Sequence, residues 1–332
     1  MLNQIKEYHK EYNNMSRVFV KKDDPLYKYA INFMEKSWGT KGIFPGCQPI
    51  SIERKHFDIL SKNDYVVCEK TDGVRYMMLA LYYGDQKVCL FINRALEMFK
   101  VSLNFRMNIF KGTILEGELY ENMFMVYDCL MTCGEVVGNK DFFERLENCE
   151  KTVKKAMVLS KDPISLKVKK FHLHQDFREF MDKYLPKVKQ EVDGLIFTPV
   201  NEPIRIGTHE TMFKWKPLNK NTIDFLVKKG PTAETPGCVP GQHVWRLYIQ
   251  DRGKHIFESS IPMDRMKDYT WLRQGDIVEC MYVTWENGPI WWKPIKKRTD
   301  KTFPNSRRTF YRTLVNIKEN INMKEFLDCI PE

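Results

Sequence analysis

No run in this chain is long and apolar enough to cross a bilayer. The longest, Tyr76 to Tyr83, falls far short of the roughly 20 residues that a spanning helix needs. No stretch has the layout of a signal peptide. There are nine cysteines, an odd number, and they are scattered without the paired CxxC spacing of a zinc site. His172 and His174 do not cluster with Cys129 or Cys133 in the way zinc ligands do. Internal repeats are missing too. These absences point to a soluble, intracellular protein with core thiols, no membrane partner and no disulfide framework.

What is present is ample apolar material. The chain has 332 residues, 43% of them hydrophobic, enough for a full core and better suited to two domains than one. The formal charge of +10 favours a polyanionic partner. Its distribution says more. From Trp291 to Thr313 eight basic residues stand against one acid, Asp300, interleaved with aromatics, a mixture suited to phosphates and bases together.

The segments Tyr65 to Lys70, Tyr76 to Tyr83, Val88 to Asn93, Thr113 to Tyr120 and Met123 to Asp128 read as successive strands of one antiparallel sheet. Turn residues connect them, at Asp72-Gly73, Gly84-Asp85 and Glu121-Asn122. A helix follows, with Phe142, Phe143, Leu146, Cys149, Val153 and Met157 as its apolar stripe, and then a second with Phe177, Phe180, Met181 and Leu185. Gly230 to Gly241, dense in Gly and Pro, reads as a domain boundary or hinge. Beyond it, short strands with a Glu286-Asn287-Gly288 turn suit a small barrel of the OB type. The C-terminus reads as helical after Asn305 and after Asn322.

Five short motifs could carry chemistry. In CEKTDGVR, Cys68 to Arg75, Lys70 ends an apolar strand. An amine attacks phosphorus only when neutral, and neighbouring cations favour that form; the alternative is a surface lysine beside a hairpin turn. In ILEGELY, alternation puts Glu116 and Glu118 on one face, either to bind ribose hydroxyls or a metal-bound water, or as a solvated sheet face. In EVDGLIFTP, Asp193 could approach a divalent metal or simply belong to a polar turn. In FKWKP, Lys214 and Lys216 share one strand face and suit a triphosphate, though solvated lysines are the commoner reading. KRTDKTFPN, Lys297 to Asn305, is either a solvated loop or a set of cations that swings onto the β and γ phosphates.

In this order and spacing the five motifs resemble those of the mRNA capping guanylyltransferases, in the superfamily that also contains the ATP-dependent ligases. The chain looks most like the compact single-function enzymes of large DNA viruses of algae. The likeness runs from about Pro49 to Leu314. It implies that Lys70 is the nucleophile of a lysyl-GMP phosphoramidate, and that Arg75 and Arg94 hold the ribose or a nearby phosphate. Glu118 matches the ribose-binding acid, Tyr127 the ring that stacks on guanine, and Asp193 the acid beside the metal. Lys214 and Lys216 match the pair at the α phosphate, while Arg298, Asp300 and Lys301 match the closure motif completed by Pro304-Asn305. Glu116 departs from the pattern and receives no catalytic role.

The fold implied is α+β. An antiparallel-sheet nucleotidyltransferase domain spans 1–229, an all-β OB-fold domain spans 230–315, and a C-terminal helical segment, 316–332, packs back on the first. A cleft lies between the two domains. The activity implied takes GTP with Mg²⁺ or Mn²⁺, releases pyrophosphate, and delivers GMP to the 5′-diphosphate end of an RNA. An RNA triphosphatase and a cap methyltransferase would act in trans, in the nucleus or in an infected host cell. The competing readings are an ATP-dependent polynucleotide ligase and a catalytically inactive RNA-binding module.

Overall fold

The computed structural model describes residues 17–105, 108–156, 163–231, 243–283, 291–299 and 301–330. The Gly/Pro-rich run from 232 onward, the turn at Glu286-Asn287-Gly288, Met157 and Asp300 lie outside the described residues. The chain divides into two compact units. One takes the residues up to Ile50, Asp58–Lys214 and the last few from Cys329; the other takes Ser51–Phe57 and Trp215–Asp328.

The first unit opens with a short edge strand, β1 (Val18–Val20), and a helix, α1 (Pro25–Trp38). The α1 helix begins where the Asp24 carboxylate accepts from the Leu26 amide, and it stops at Gly39, whose φ of 70° takes the left-handed turn. There follow β2 (Cys47–Ser51), α2 (Phe57–Lys62), β3 (Tyr65–Thr71), β4 (Val74–Tyr83), β5 (Gln86–Asn93) and β6 (Met98–Val101). Next come β7 (Thr113–Tyr120), β8 (Met123–Thr132), β9 (Glu135–Val136), α3 (Phe142–Ala156), β10 (Ser165–Val168) and β11 (His172–Leu173). A set of short helical turns over 174–187 leads to β12 (Val192–Pro199) and β13 (Gly207–Trp215).

These strands build two sheets, in the orders β1-β6-β5-β4-β7-β8-β10 and β11-β3-β12-β13-β2, with β9 attached to β8. The first five sequence-read strands are therefore split between sheets. β3 pairs with β11 and β12, while β4 pairs with β5 and β7. Asp72-Gly73 is thus a crossover between sheets and not a hairpin turn. The larger sheet is also not wholly antiparallel, since β10 runs parallel to β8.

The apolar run in β4 has a simple cause. Met77, Leu79 and Leu81 face a core shared with Leu26, Ala30 and Met34 of α1, whereas Met78 and Ala80 face another shared with Cys149 and Val153 of α3. A strand covered on both sides must be apolar on both. Phe143 departs from the stripe read for α3 and is exposed.

The second unit holds β14 (Thr222–Pro231), β15 (His243–Asp251), β16 (Lys254–Ser260), β17 (Ile277–Val283) and β18 (Trp291–Lys297). They form one antiparallel OB-type sheet in the order β16-β15-β14-β17-β18. Helix α4 (Arg307–Glu319) starts at Ser306, whose hydroxyl accepts from the Thr309 amide, and puts Phe310 against Phe225 and Trp292. Trp215 donates to the Ile321 carbonyl at 2.9 Å, within the same unit. The sequence boundary at 229/230 therefore falls inside β14, whereas the compact units part between Lys214 and Trp215. The segment 316–328 belongs to the second unit.

Candidate active site

In the first unit, side chains from β3, β4, β7, β8 and β12 converge on a cavity of 160 Å³. Lys70, Arg75, Glu118, Tyr127 and the unassigned Glu116 all line it. Two irregularities in the ladders aim them. In the β3–β12 pair Gly194 is opposite Lys70, and the register shifts between Val192 and Gly194. Asp193 is the extra residue of that bulge, and Gly194 carries it at φ 147°, a conformation that side chains with a Cβ rarely adopt. The result is an ion pair: Lys70 Nζ donates to Asp193 Oδ2 at 2.7 Å. The amine is thus met by a carboxylate, with the cations Arg75 and Lys169 in the wall of the same cavity.

The second bulge is in β8. Glu116 is opposite Asp128 and Gly117 opposite Val126, so Tyr127 has no opposite residue. β7 itself stays regular, and Glu116 and Glu118 share a face as alternation requires. Glu116 is nearly fully buried; it accepts from Arg75 and, at 3.0 Å, from the Tyr127 hydroxyl. Burial pushes the Glu116 carboxyl up, with the Arg75 guanidinium opposing. Burial likewise drives the Tyr127 phenol well above its ordinary value, against the pull of Arg75, which keeps it a donor. Arg75 also donates to the Cys47 carbonyl and lies over the Phe44 ring, 5.0 Å from its centroid. A Cβ on Gly46 would come within 2.4 Å of Arg75 and 2.6 Å of Glu116, so only glycine leaves room for the pair.

Glu118 accepts from Thr71 at 2.8 Å and from Tyr120. Beyond it lies a buried group that the sequence reading missed. Lys169 Nζ is 3.4 Å from Glu69 and 3.2 Å from the Thr71 hydroxyl, and it forms part of the cavity wall. Arg145, also in the wall, donates to Asp128 at 2.8 Å. Such pairs leave no linear signature, because their partners are 17 or more residues apart.

The other candidates lie elsewhere. Arg94 is exposed, donates to Gln48 at 2.9 Å, and does not line the cavity. Lys214 ends the first unit and Lys216 belongs to the second. Phe213 and Trp215 are buried, as the alternation predicts. In the second unit Arg298 donates to both carboxylate oxygens of Asp224, at 3.0 and 3.1 Å, and Lys301 pairs with the same buried acid. Asn305 joins them: its side chain accepts from the Asp224 amide at 2.8 Å and its amide donates to the Asp224 carbonyl at 2.7 Å. Asp224, which the sequence reading passed over, is therefore the anchor of KRTDKTFPN.

The model of the mRNA capping enzyme catalytic domain matches residues 3–218, and that of the mRNA capping enzyme C-terminal domain matches residues 220–327. The chain belongs to the mRNA capping enzyme family. It is similar to the mRNA-capping enzyme of Danio rerio, 31% identical over 319 residues, which is 88% of this chain and 50% of the relative. It is also similar to the mRNA-capping enzyme subunit alpha of Schizosaccharomyces pombe, 26% identical over 325 residues, covering 87% of this chain and 80% of the relative. The chain spans about half the length of the fish protein. Among solved structures, the ATP-dependent DNA ligase of bacteriophage T7 in complex with ATP aligns at 13% identity and a TM-score of 0.39, over 76% of this chain and 98% of that one.

Proposed function

We propose that the chain is a GTP:RNA guanylyltransferase that works through a covalent intermediate on Lys70. One observation carries the reading. Lys70, the residue matched to the nucleophile, lies one residue before the end of β3 in a cavity whose wall includes Glu118, Arg75 and Tyr127, and its Nζ is held by Asp193 at 2.7 Å. In the first step the Lys70 amine, having given up a proton, attacks the α phosphorus of GTP. The N–P bond forms, the bond to the bridging oxygen breaks, and pyrophosphate leaves. In the second step a terminal oxygen of the RNA diphosphate attacks that phosphorus and the N–P bond breaks. The cap is complete and Lys70 is regenerated.

The remaining residues take supporting roles in this proposal. Asp193, matched to the acid beside the metal, holds the Lys70 ammonium until substrate arrives. Glu118, fixed by Thr71 and Tyr120, offers a carboxylate to ribose hydroxyls. The Tyr127 ring, anchored through its hydroxyl to Glu116, gives guanine a fixed stacking surface. Arg75 and Arg94 supply positive charge for a phosphate, and Lys214 and Lys216 for charge developing at the α phosphorus. Arg298 and Lys301 supply cations for the departing pyrophosphate, and Asp300 stands with them in the closure motif.

Among the described residues no cluster of three or more His, Cys, Asp or Glu is placed to hold a metal. Mg²⁺ and ions like it often bind through one carboxylate and substrate phosphates. Asp193 fits that mode. A bound Mg²⁺ or Mn²⁺ would offset negative charge on the triphosphate. The 5′ diphosphate would come from an RNA triphosphatase and the cap would pass to a methyltransferase, both acting in trans.

Incubation with α-labelled GTP or ATP tests the proposal. Stable label is expected from GTP alone, released on adding RNA with a diphosphate end. Lys70→Ala should remove it entirely while the circular dichroism spectrum stays that of the parent. Label from ATP and not GTP would favour a ligase and defeat the reading. Family membership across both parts of the chain already favours capping over ligation.

A further inference from the structure

Resting on the proposal that RNA is the second substrate, we propose that the sheet of the second unit carries a single-stranded RNA platform made by Tyr248, Phe257, Lys228 and Arg246. Strand alternation sends Phe225, Val227, Leu247 and Ile249 into the core. The opposite face is set by register: Tyr248 is opposite Phe257, and Arg246 is opposite Lys228. These four side chains therefore share one patch of β14, β15 and β16.

Their packing is of a particular kind. The Tyr248 and Phe257 rings meet edge to face with centroids 5.8 Å apart. Lys228 Nζ lies 4.9 Å from the Tyr248 centroid, and Arg246 Cζ lies 5.2 Å from that of Phe257. Phe257 is still 48% exposed, on an edge strand where water gains nothing from it. Lys228 forms no ion pair with a carboxylate among the described residues. Asp251 takes Arg307 at 3.2 Å, and Asp224 takes Arg298 and Lys301.

Two rings and two cations held together on an OB-type sheet match what a single strand presents, namely flat bases strung on phosphates. The contacts to the rings matter for the cations as well. Lysine and arginine side chains on an open surface sample many rotamers, and stacking them on rings places their charge before RNA arrives. A base can then lie on an open ring face or on the guanidinium plane while the ammonium takes a neighbouring phosphate.

The test is fluorescence anisotropy of the full chain with a labelled single-stranded RNA of about 20 nucleotides. Tyr248→Ala with Phe257→Ala should weaken binding by about tenfold or more, since each stacked base contributes roughly 1–3 kcal/mol. Phe257→Leu keeps an apolar side chain on the strand and guards against misfolding; it should still weaken binding. Lys228→Gln should flatten the dependence of log affinity on log salt by about 0.7, the slope of one phosphate contact for a single strand.

Unchanged affinity in both ring variants would overturn the platform, as would displacement of the RNA by an acidic peptide at equal concentration. The GTP labelling assay is separate. Its failure in the parent chain would sink the guanylyltransferase reading, whereas labelling with unchanged RNA affinity would sink the platform alone.

Discussion

At the scale of single residues, the site depends on an acid to which the sequence reading gave no role. Glu116 is buried and is the common acceptor for Arg75 and Tyr127. Removing it leaves a guanidinium in the cavity wall without its partner, which costs more than the pair itself contributes. Glu116→Ala should therefore lower unfolding stability by about 3 kcal/mol, and Glu116→Gln, which keeps shape and one acceptor, by about 1–2 kcal/mol. Urea titrations of the three proteins check this ordering. An Ala variant as stable as the parent would mean that the Cys47 carbonyl and Phe44 ring hold Arg75 unaided. Lys70, Arg75, Glu118 and Tyr127, which the motifs and the resemblance singled out, do line one cavity. Glu116 stands in the same motif as Glu118, but its role depends on burial, which a lone strand does not reveal.

At the scale of elements, the strands were readable and their partners were not. Tyr65 to Lys70 was read as a strand, which runs one residue further to Thr71, yet it pairs with β12, more than 120 residues later in the chain, and not with its neighbour β4. The bulges that aim Asp193 and Tyr127 exist only in those pairings.

In the second unit the β14–β17 pair holds a charge-dependent link. Burial tends to raise the Glu279 pKa, but the Thr222 hydroxyl at 2.7 Å, with Lys296 and Arg298, outweighs it and the value is lowered. A carboxyl with a lowered folded pKa stabilises the fold above its unfolded value, about 4.3. That contribution fades as the pH falls through the folded value. Thermal melts should show Glu279→Gln less stable than the parent at pH 7, by on the order of 1 kcal/mol, with the difference shrinking under acid. A gap independent of pH would contradict the assignment.

At the scale of the whole molecule, the two units are not cut from the chain in sequence order. Ser51–Phe57 belongs with Trp215–Asp328, where Arg54 pairs with Glu325 at 2.9 Å and Asn316 donates to the Ile52 carbonyl at 2.6 Å. The C-terminal segment is part of that unit's core, with Phe310 and Phe326 buried. A chain ending at Asn305 loses both rings and the Trp215 hydrogen bond. Its thermal midpoint should drop by at least about 10 °C, since deleting one buried phenylalanine side chain costs roughly 3–5 kcal/mol. Calorimetry of the shortened chain provides the check, and an undisturbed transition would show that the segment adds nothing to that core.

The sequence by itself determined the family, through motifs in a fixed order, and the strand character of most elements and the basic character of the C-terminal part, which rest on residue type and short-range periodicity. Tertiary structure alone decided that Lys70 faces Asp193, that Glu116 holds Arg75, and that Asp224 gathers Arg298, Lys301 and Asn305. It also decided where the units part. The physical reason is the same throughout: strand pairing and buried ion pairs join residues far apart in the chain, and only the folded backbone sets which of many chemically equivalent partners come within hydrogen-bond reach.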